Sequence, residues 1–417
     1  MIGSRTFVVC NILILGLSGC FDKPGRSDPS NAIENPVVNW QAQPDSSRID
    51  LGFPVLEVET TMLLEPDGQT EGIGTYSHHS HIKWWKRMLV ATWSNAPRDE
   101  DSPGQRVLLR RSADRGKTWT PVVEAFPPLP DRVLKNGDTI FSKRSDGVTM
   151  NANGYAVVEG RLYLIAECLY LPGQKGLGRL AREMKKDGTL GPVFWLYEDP
   201  VITTIEGEPF YALIRDELYR DLAGEINSYL ERPEVYPSWE FLNYSTRPIA
   251  EDGHVMCEPT YGWQLADGTW MRLYRDLSRS GYNYSSFSKD DGKTWSVPAR
   301  TNFPDAPARS NAGVLPDGTV YVISNIRNTG NMKGPLFPRD PLSISLSDDG
   351  LNFTRVMIIS CGAKPARFAG RFKDTGFEYP SSVVTGKELF IMYSVNKEDI
   401  RVSKIRIRNL SGNAPDN

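Results

Sequence analysis

Ser112-Ala113-Asp114-Arg115-Gly116-Lys117-Thr118-Trp119 and Ser288-Lys289-Asp290-Asp291-Gly292-Lys293-Thr294-Trp295 are two copies of one octapeptide, Ser-x-Asp-x-Gly-Lys-Thr-Trp. Its residue types specify a hairpin turn. Aspartate and serine side chains bond backbone amides, and glycine takes the positive φ that closes the turn. The terminal aromatic pins the turn to the sheet. A worn third copy reads Ser347-Asp348-Asp349-Gly350-Leu351-Asn352-Phe353. A recurring turn implies a recurring sheet unit, and one such unit cannot bury its faces alone.

The residues between the copies agree. From about residue 51 no long stretch keeps a 3.6-residue period. Short apolar or alternating runs recur instead, at Met88–Trp93, Arg106–Arg111, Tyr155–Glu167, Trp270–Arg275, Val320–Asn325 and Leu389–Ser394. Pro66-Asp67-Gly68, Ala266-Asp267-Gly268, Pro316-Asp317-Gly318 and Thr385-Gly386 separate them as turns. The expected fold is an all-β propeller over residues 51–410, with six blades, or seven as the alternative. Residues 179–231 read as an insertion, with helix within Glu208–Tyr229.

Composition narrows the function. The 417 residues are 40% hydrophobic and 24% charged, as in an ordinary globular protein. A net charge of -3 gives no basic excess for nucleic acid and no acidic tract. Gly 36 and Pro 30 suit many short strands joined by tight turns. Five scattered cysteines do not form a disulfide framework.

The N-terminus has the layout of an export signal. Arg5 is its positive end, and the apolar stretch from Phe7 to Leu17 is too short to span a bilayer stably. Leu17-Ser18-Gly19-Cys20 resembles the bacterial lipobox. That resemblance implies removal of residues 1–19 and a diacylglycerol on Cys20, which makes a firm membrane anchor. Phe21 stands where an aspartate retention signal would, so sorting outward, to the outer membrane or cell surface, is expected. Residues 20–50 are polar and rich in Pro, Ser and Asn, and are expected to form a flexible tether.

The octapeptide is the Asp-box, and the chain resembles the sialidase (neuraminidase) superfamily over about residues 55–405. Asp-boxes occur in enzymes and non-enzymes alike, so they speak for the fold and little for the function. The resemblance implies four parts at the propeller mouth: arginines gripping a substrate carboxylate, a tyrosine nucleophile, a glutamate that takes its proton, and a loop aspartate as acid/base. Glu258, in Glu258-Pro259-Thr260, looks like the glutamate. Arg275, in Leu273-Tyr274-Arg275, looks like one arginine, and Arg309 like another. Tyr379, in Phe377-Glu378-Tyr379-Pro380, looks like the nucleophile. Asp101 or Asp99, in the loop Arg98–Gly104, is the candidate acid. Each has a blander reading: salt bridges for Glu258, Arg275 and Arg309, core packing for Tyr379, a solvated charge run for the aspartates. The shared order along the chain favours the set.

One departure stands out. Sialidases open this domain with an arginine in an Arg-Ile-Pro-type motif; here the place holds Tyr76-Ser77-His78-His79-Ser80-His81. Three of the four histidines thus fall within four residues, and the fourth, His254, lies just before Glu258. Such first-blade histidines resemble propeller enzymes that cleave rhamnosyl-glucuronate caps, and ulvan lyases. There a neutral histidine or a tyrosinate takes a proton while arginine neutralises a uronate. Arg179 and Arg182 are further carboxylate partners on this reading. His254 and Cys257 with His79 or His81 form only a loose zinc pattern, and the expectation is no metal and no cofactor.

Three functions follow. One is an exo-acting glycosidase of sialidase type on a terminal acidic sugar. The second is a lyase or rhamnosidase-like enzyme on uronate polysaccharide, and the third a non-catalytic glycan-binding lipoprotein. All three hold an acidic saccharide outside the cytoplasm. The geometric expectation is that Asp101 or Asp99, Glu258, Arg275, Arg309, Tyr379 and His79 converge in one cleft, with His81, His254 and Arg182 contributing to binding.

Overall fold

The computed structural model describes residues 34–410, apart from 129–131, 136–137, 143–147, 171–174, 197–203, 206–207, 210–216, 236–246 and 331–337. Cys20 and the leader lie outside the described residues. The chain enters as β1 (Asn39–Trp40) and β2 (Glu59–Leu64) and then lays down its sheets in order. The first is β3 (Tyr76–Trp85), β4 (Met88–Ala96), β5 (Arg106–Ser112) and β6 (Val123–Phe126). Short strands β7 (Arg132–Lys135) and β8 (Asp138–Ser142) precede the second, made of β9 (Val148–Val158), β10 (Arg161–Tyr170), β11 (Lys175–Met184) and β12 (Leu190–Trp195).

After β13 (Thr204–Ile205), β14 (Glu208–Pro209) and helix α1 (Glu217–Leu230) comes a sheet of β15 (Met256–Cys257), β16 (Trp263–Gln264), β17 (Trp270–Asp276), β18 (Tyr282–Ser288) and β19 (Ala299–Pro304). The next holds β20 (Asn311–Val314), β21 (Val320–Ser324), β22 (Leu342–Ser347) and β24 (Arg355–Ser360), with β23 (Asn352–Phe353) at its side. The last, β25 (Phe377–Thr385), β26 (Glu388–Val395) and β27 (Asp399–Arg406), is completed by β2 from the N-terminal end. That pairing joins the two ends of the propeller in one sheet, with β2 as its edge strand. Each sheet is antiparallel between consecutive strands, as hairpins require.

The core lies between blades. Val90, Leu109, Leu164 and Trp195 join the first two sheets, and Ile82, Trp93, Phe390 and Val402 join the last to the first. Burying each such side chain stabilises the fold by roughly 1.5–3 kcal/mol, so the ring is held by its inter-blade layers. The Asp-boxes sit in the β5–β6, β18–β19 and β22–β24 turns. Asp114 accepts from the Thr118 amide at 2.9 Å and from its hydroxyl at 2.6 Å; Asp290 accepts from Thr294 at 2.9 and 2.7 Å. In the third copy Asn352 replaces the threonine, its amide group reaching Asp349 at 2.7 Å.

Two boundaries differ from expectation. Residues 34–50 are not a tether: Val38 and Trp40 are buried, and Asn39–Trp40 pairs in parallel with Asn352–Phe353. The two apolar residues inside the polar stretch decide this. The insertion also starts later than residue 179, because Arg179–Met184 lies in β11 of the second blade, where Leu180 and Ala181 are buried. The helix is Glu217–Leu230, packed by Ala223, Ile226 and Leu230 onto that blade. Besides these five sheets the described residues form a further four-stranded sheet in the order β14-β13-β7-β8; the expected count of six blades falls partly on residues outside the described set.

Candidate active site

Two bulges form the centre of the site. β3 pairs with β4 through His78↔Ser94 and then His81↔Thr92; β25 pairs with β26 through Glu378↔Ser394 and then Ser381↔Met392. Each inner strand therefore carries one extra residue, and such a bulge re-aims a side chain away from the sheet's alternation. The bulged residues include His79 and Tyr379, both at φ 50°. Ser80 Oγ donates to Tyr379 O at 2.7 Å, tying one bulge to the other. Arg309 Nη2 donates to Ser80 O at 2.9 Å and to Tyr379 O at 3.3 Å. One buried guanidinium thus holds the carbonyls of both bulges, and its carbon lies 4.9 Å from the Tyr379 ring centre.

Asp101 (φ 52°) and Glu258 (φ 47°) are left-handed as well. All four residues expected to carry chemistry share this conformation. It costs a non-glycine residue energy that the surrounding structure must supply, and such residues cluster at functional sites.

Tyr379 and Glu258 meet through Arg275. The tyrosine hydroxyl donates to Glu258 Oε2 at 3.3 Å, while Arg275 Nη1 reaches the same oxygen at 2.5 Å and the hydroxyl at 2.7 Å. The β15–β17 register, Cys257↔Arg275, brings the arginine beside Glu258. Burial pushes the Tyr379 phenol well above its ordinary range, against the Arg275 charge. It is therefore a neutral phenol that needs a base. Burial would also raise Glu258, but the charges of Arg275 and Arg309 outweigh it and hold the carboxyl below its usual value. Glu258 is thus an anion placed against a phenol proton.

The acid loop separates three consecutive carboxylates. Asp99 accepts from the Arg371 and Phe372 amides. Glu100 takes Lys397 at 2.6 Å and the Tyr76 hydroxyl at 3.2 Å, and faces His79 Nε2 at 3.6 Å. Asp101 makes no ion pair among the described residues; Thr149 Oγ1 stands 3.5 Å away. Burial, with the neighbouring Glu100 charge adding to it, raises Asp101 to about 7. Between the two candidate acids, the geometry therefore favours Asp101: Asp99 is a loop staple.

Arg339 escaped the sequence reading. Its guanidinium carbon lies 5.4 Å from the Tyr379 ring, held by Glu378 and, at 3.2 Å, by Asp374. The available signal was an arginine between Arg275 and Tyr379 leading into a strand. Lys397, Glu378 and Glu100 were missed too, since buried charges look like surface charges in a sequence.

The histidines sort differently. His79 Nδ1 lies 3.1 Å from Ser94 Oγ, which also accepts from Ala152 N at 3.0 Å. The other ring nitrogen, Nε2, faces Glu100 Oε1 at 3.6 Å. Burial lowers His79 to about 4, Glu100 notwithstanding, so it is neutral. His78 Nδ1 bonds Ser394 at 2.7 Å, and its ring lies 4.1 Å from that of Tyr379. His81 Nε2 lies 3.4 Å from Arg309. His254 bonds Asp276 at 2.8 Å and stacks on Tyr284; no described contact joins it to the other histidines. Arg182 does not reach Tyr379 or Glu258 through any described bond either. It donates to Gly191 O at 2.6 Å and Ala125 O at 2.7 Å, fastening two blades.

As to metals, the ligand atoms of His254 and Cys257 do not group with those of His79 or His81 among the described residues. Among the described residues only His78, His79 and Glu100 group as potential ligands, within 4.8 Å of one another. The Lys397 ammonium already occupies Glu100, which makes this a poor place for a second cation.

Two family models match the chain: an N-terminal β-propeller over residues 52–236 and a BNR repeat-like domain over 238–391. The structure superposes on a solved sialidase with a TM-score of 0.71 at 24% identity, covering 89% of this chain and 35% of that one. The chain carries a sialidase-like BNR-repeat propeller. It spans about a third of that sialidase's length, and the likeness concerns the fold. A protein of unknown function from Dyadobacter fermentans aligns at a TM-score of 0.50 and 14% identity, over 85% of this chain and 99% of its own. A Trypanosoma rangeli sialidase bound to sialic acid aligns at 0.48 and 14%, over 85% and 59%. No curated protein sequence matches the chain. Within this sialidase-like propeller, Glu258, Arg275, Arg309 and His79 lie around Tyr379, and the Asp101 loop meets them where Glu100 faces His79.

Proposed function

We propose that the protein is an exo-acting glycosidase of sialidase type that releases a terminal acidic sugar through a tyrosyl intermediate. The observation carrying this is the contact of the Tyr379 hydroxyl with Glu258 and Arg275. Tyr379 Oη attacks the anomeric carbon, its proton passes to Glu258, and Asp101 gives its proton to the departing oxygen. In the second half Asp101 takes a proton from water, whose oxygen attacks the same carbon. Tyr379 then leaves, recovering its proton from Glu258. Two displacements at one carbon retain its configuration. Arg275, with Arg339 beside it, supplies positive charge for the substrate carboxylate, and forked guanidinium groups match that shape. A lyase reading would use a neutral histidine or a tyrosinate as base; the protonated Tyr379 phenol set against the Glu258 anion suits a nucleophile and its base, which favours hydrolysis.

The test is a panel of terminal acidic-sugar glycosides, quenched during turnover, followed by peptide mass spectrometry. A glycosyl group on Tyr379 supports the reading. Turnover that yields an unsaturated uronate, or an adduct on another residue, rejects it.

We also propose that the protein is exported and anchored through Cys20, on the strength of Leu17-Ser18-Gly19-Cys20. Mass analysis of the mature N-terminus tests this: a diacylglyceryl cysteine at position 20 is expected, and its absence ends the proposal.

A further inference from the structure

We propose that Asn151, together with Gln105 and Thr149, is the positioning group for the Asp101 carboxyl, so that the second blade aims the acid loop of the first. This rests on the assignment of Asp101 as acid. The loop joining β4 to β5 is held at Asp99, which takes two amides of the 371–372 segment, and at Glu100, which takes Lys397. The Asp101 carboxyl itself meets a side chain from across the blade boundary, that of Thr149.

Those contacts form a closed set. The Asp101 amide donates to Gln105 Oε1 at 2.9 Å, which fastens the loop's two ends. Gln105 Nε2 donates to Asn151 Oδ1 and, at 3.4 Å, to Met150 O, both on β9 of the next blade. With its oxygen taken, Asn151 has its amide N–H to offer, and its influence draws the Asp101 carboxyl down against burial. Thr149 Oγ1 approaches the same carboxyl. Gln105, Thr149 and Asn151 are all buried. Buried polar groups that satisfy one another fix a single arrangement, which an acid aimed at a leaving oxygen requires.

The strand explains why these residues share a side. Thr149, Asn151 and Asn153 alternate along β9 and so face one way. Asn151 lies opposite Glu167 on β10, and Asn153 donates to Glu167 at 2.5 Å. Nothing in the sialidase-type order of motifs along the chain points to this polar row.

The experiment uses the full chain with Asn151→Ala and, as a milder variant, Thr149→Val. Two readouts are taken. One is the carboxyl carbon-13 titration of Asp101, assigned with Asp101→Asn. The other is the rate on an acidic-sugar glycoside with a sugar leaving group, compared with its nitrophenyl counterpart. Loss of a hydrogen bond to the charged form raises the titration midpoint, by about one unit in Asn151→Ala. The sugar glycoside slows about 10- to 100-fold, whereas the nitrophenyl glycoside, which needs little proton donation, slows less than about threefold. Thr149→Val shifts both in the same sense by less. An unmoved titration with equal slowing of both substrates, in variants that keep the wild-type circular dichroism, overturns the proposal. If the midpoint shifts but Asp101→Asn leaves both rates intact, the clamp stands and the acid assignment falls.

Discussion

The Tyr379 hydroxyl lies 3.3 Å from Glu258 Oε2, and both residues hold left-handed backbones, at φ 50° and 47°. Neither conformation is required for a strand, so the contact is assembled at a cost to the fold. Burial keeps Tyr379 protonated, so removing its base should matter nearly as much as removing the nucleophile. Tyr379→Phe is expected to lower kcat by about three to four orders of magnitude, and Glu258→Gln by a comparable factor. The double variant should be little worse than either, because groups acting as a unit are not additive. Steady-state rates on the hydrolysed glycoside check this; additive losses would show that the pair does not work together.

The pH profile follows from the two carboxyls. Asp101 must donate a proton and is raised to about 7, so activity should fall as pH rises through about 7. Glu258 must accept one and is held below its ordinary range, so the acidic limb should lie under that of a free glutamate. Between the limbs kcat/KM should be flat. Asp101→Asn should remove the alkaline limb, and it should hurt substrates with poor leaving groups most. A limb that persists near 7 in that variant would assign it elsewhere.

How much of this was legible in the sequence depended on range. The Asp-box is local: serine, aspartate, glycine and threonine bond one another within eight residues, so the string alone specifies the turn and, through recurrence, the propeller. Glu258, Arg275 and Tyr379 were legible through their order along the chain. Arg339 and Lys397 were not, because only the ring closure packs them beside Tyr379 and Glu100. The division of labour among Asp99, Glu100 and Asp101 was equally hidden: adjacent carboxylates differ here only in their distant partners, Arg371, Lys397 and Thr149. Trp40 showed the opposite error, where two buried residues overrode a polar neighbourhood.

His79 distinguishes hydrolysis from elimination. It is neutral, lowered to about 4, and its ring nitrogens face Ser94 and Glu100. The rate should therefore show no histidine limb between pH 5 and 7. His79→Asn, which can keep one of the two polar contacts, should cost about tenfold or less in kcat/KM. No absorbance from an unsaturated uronate should develop with either protein. Loss of all activity in His79→Asn, with such absorbance in the wild type, would make His79 the base of a lyase.

Arg309 offers a choice between gripping substrate and holding backbone, and kinetics can separate the two. Its Nη2 bonds Ser80 O and Tyr379 O, the carbonyls of both bulges. A substrate-gripping arginine raises KM when removed. A bulge clamp instead displaces Tyr379 and lowers kcat, with KM little changed. Arg309→Met should also leave two buried carbonyls without that donor, at roughly 1–3 kcal/mol each, and depress Tm by several degrees. Arg309→Lys, one donor group in place of a fork, should recover part of Tm and little of kcat. A large rise in KM with unchanged Tm would return Arg309 to the substrate's carboxylate.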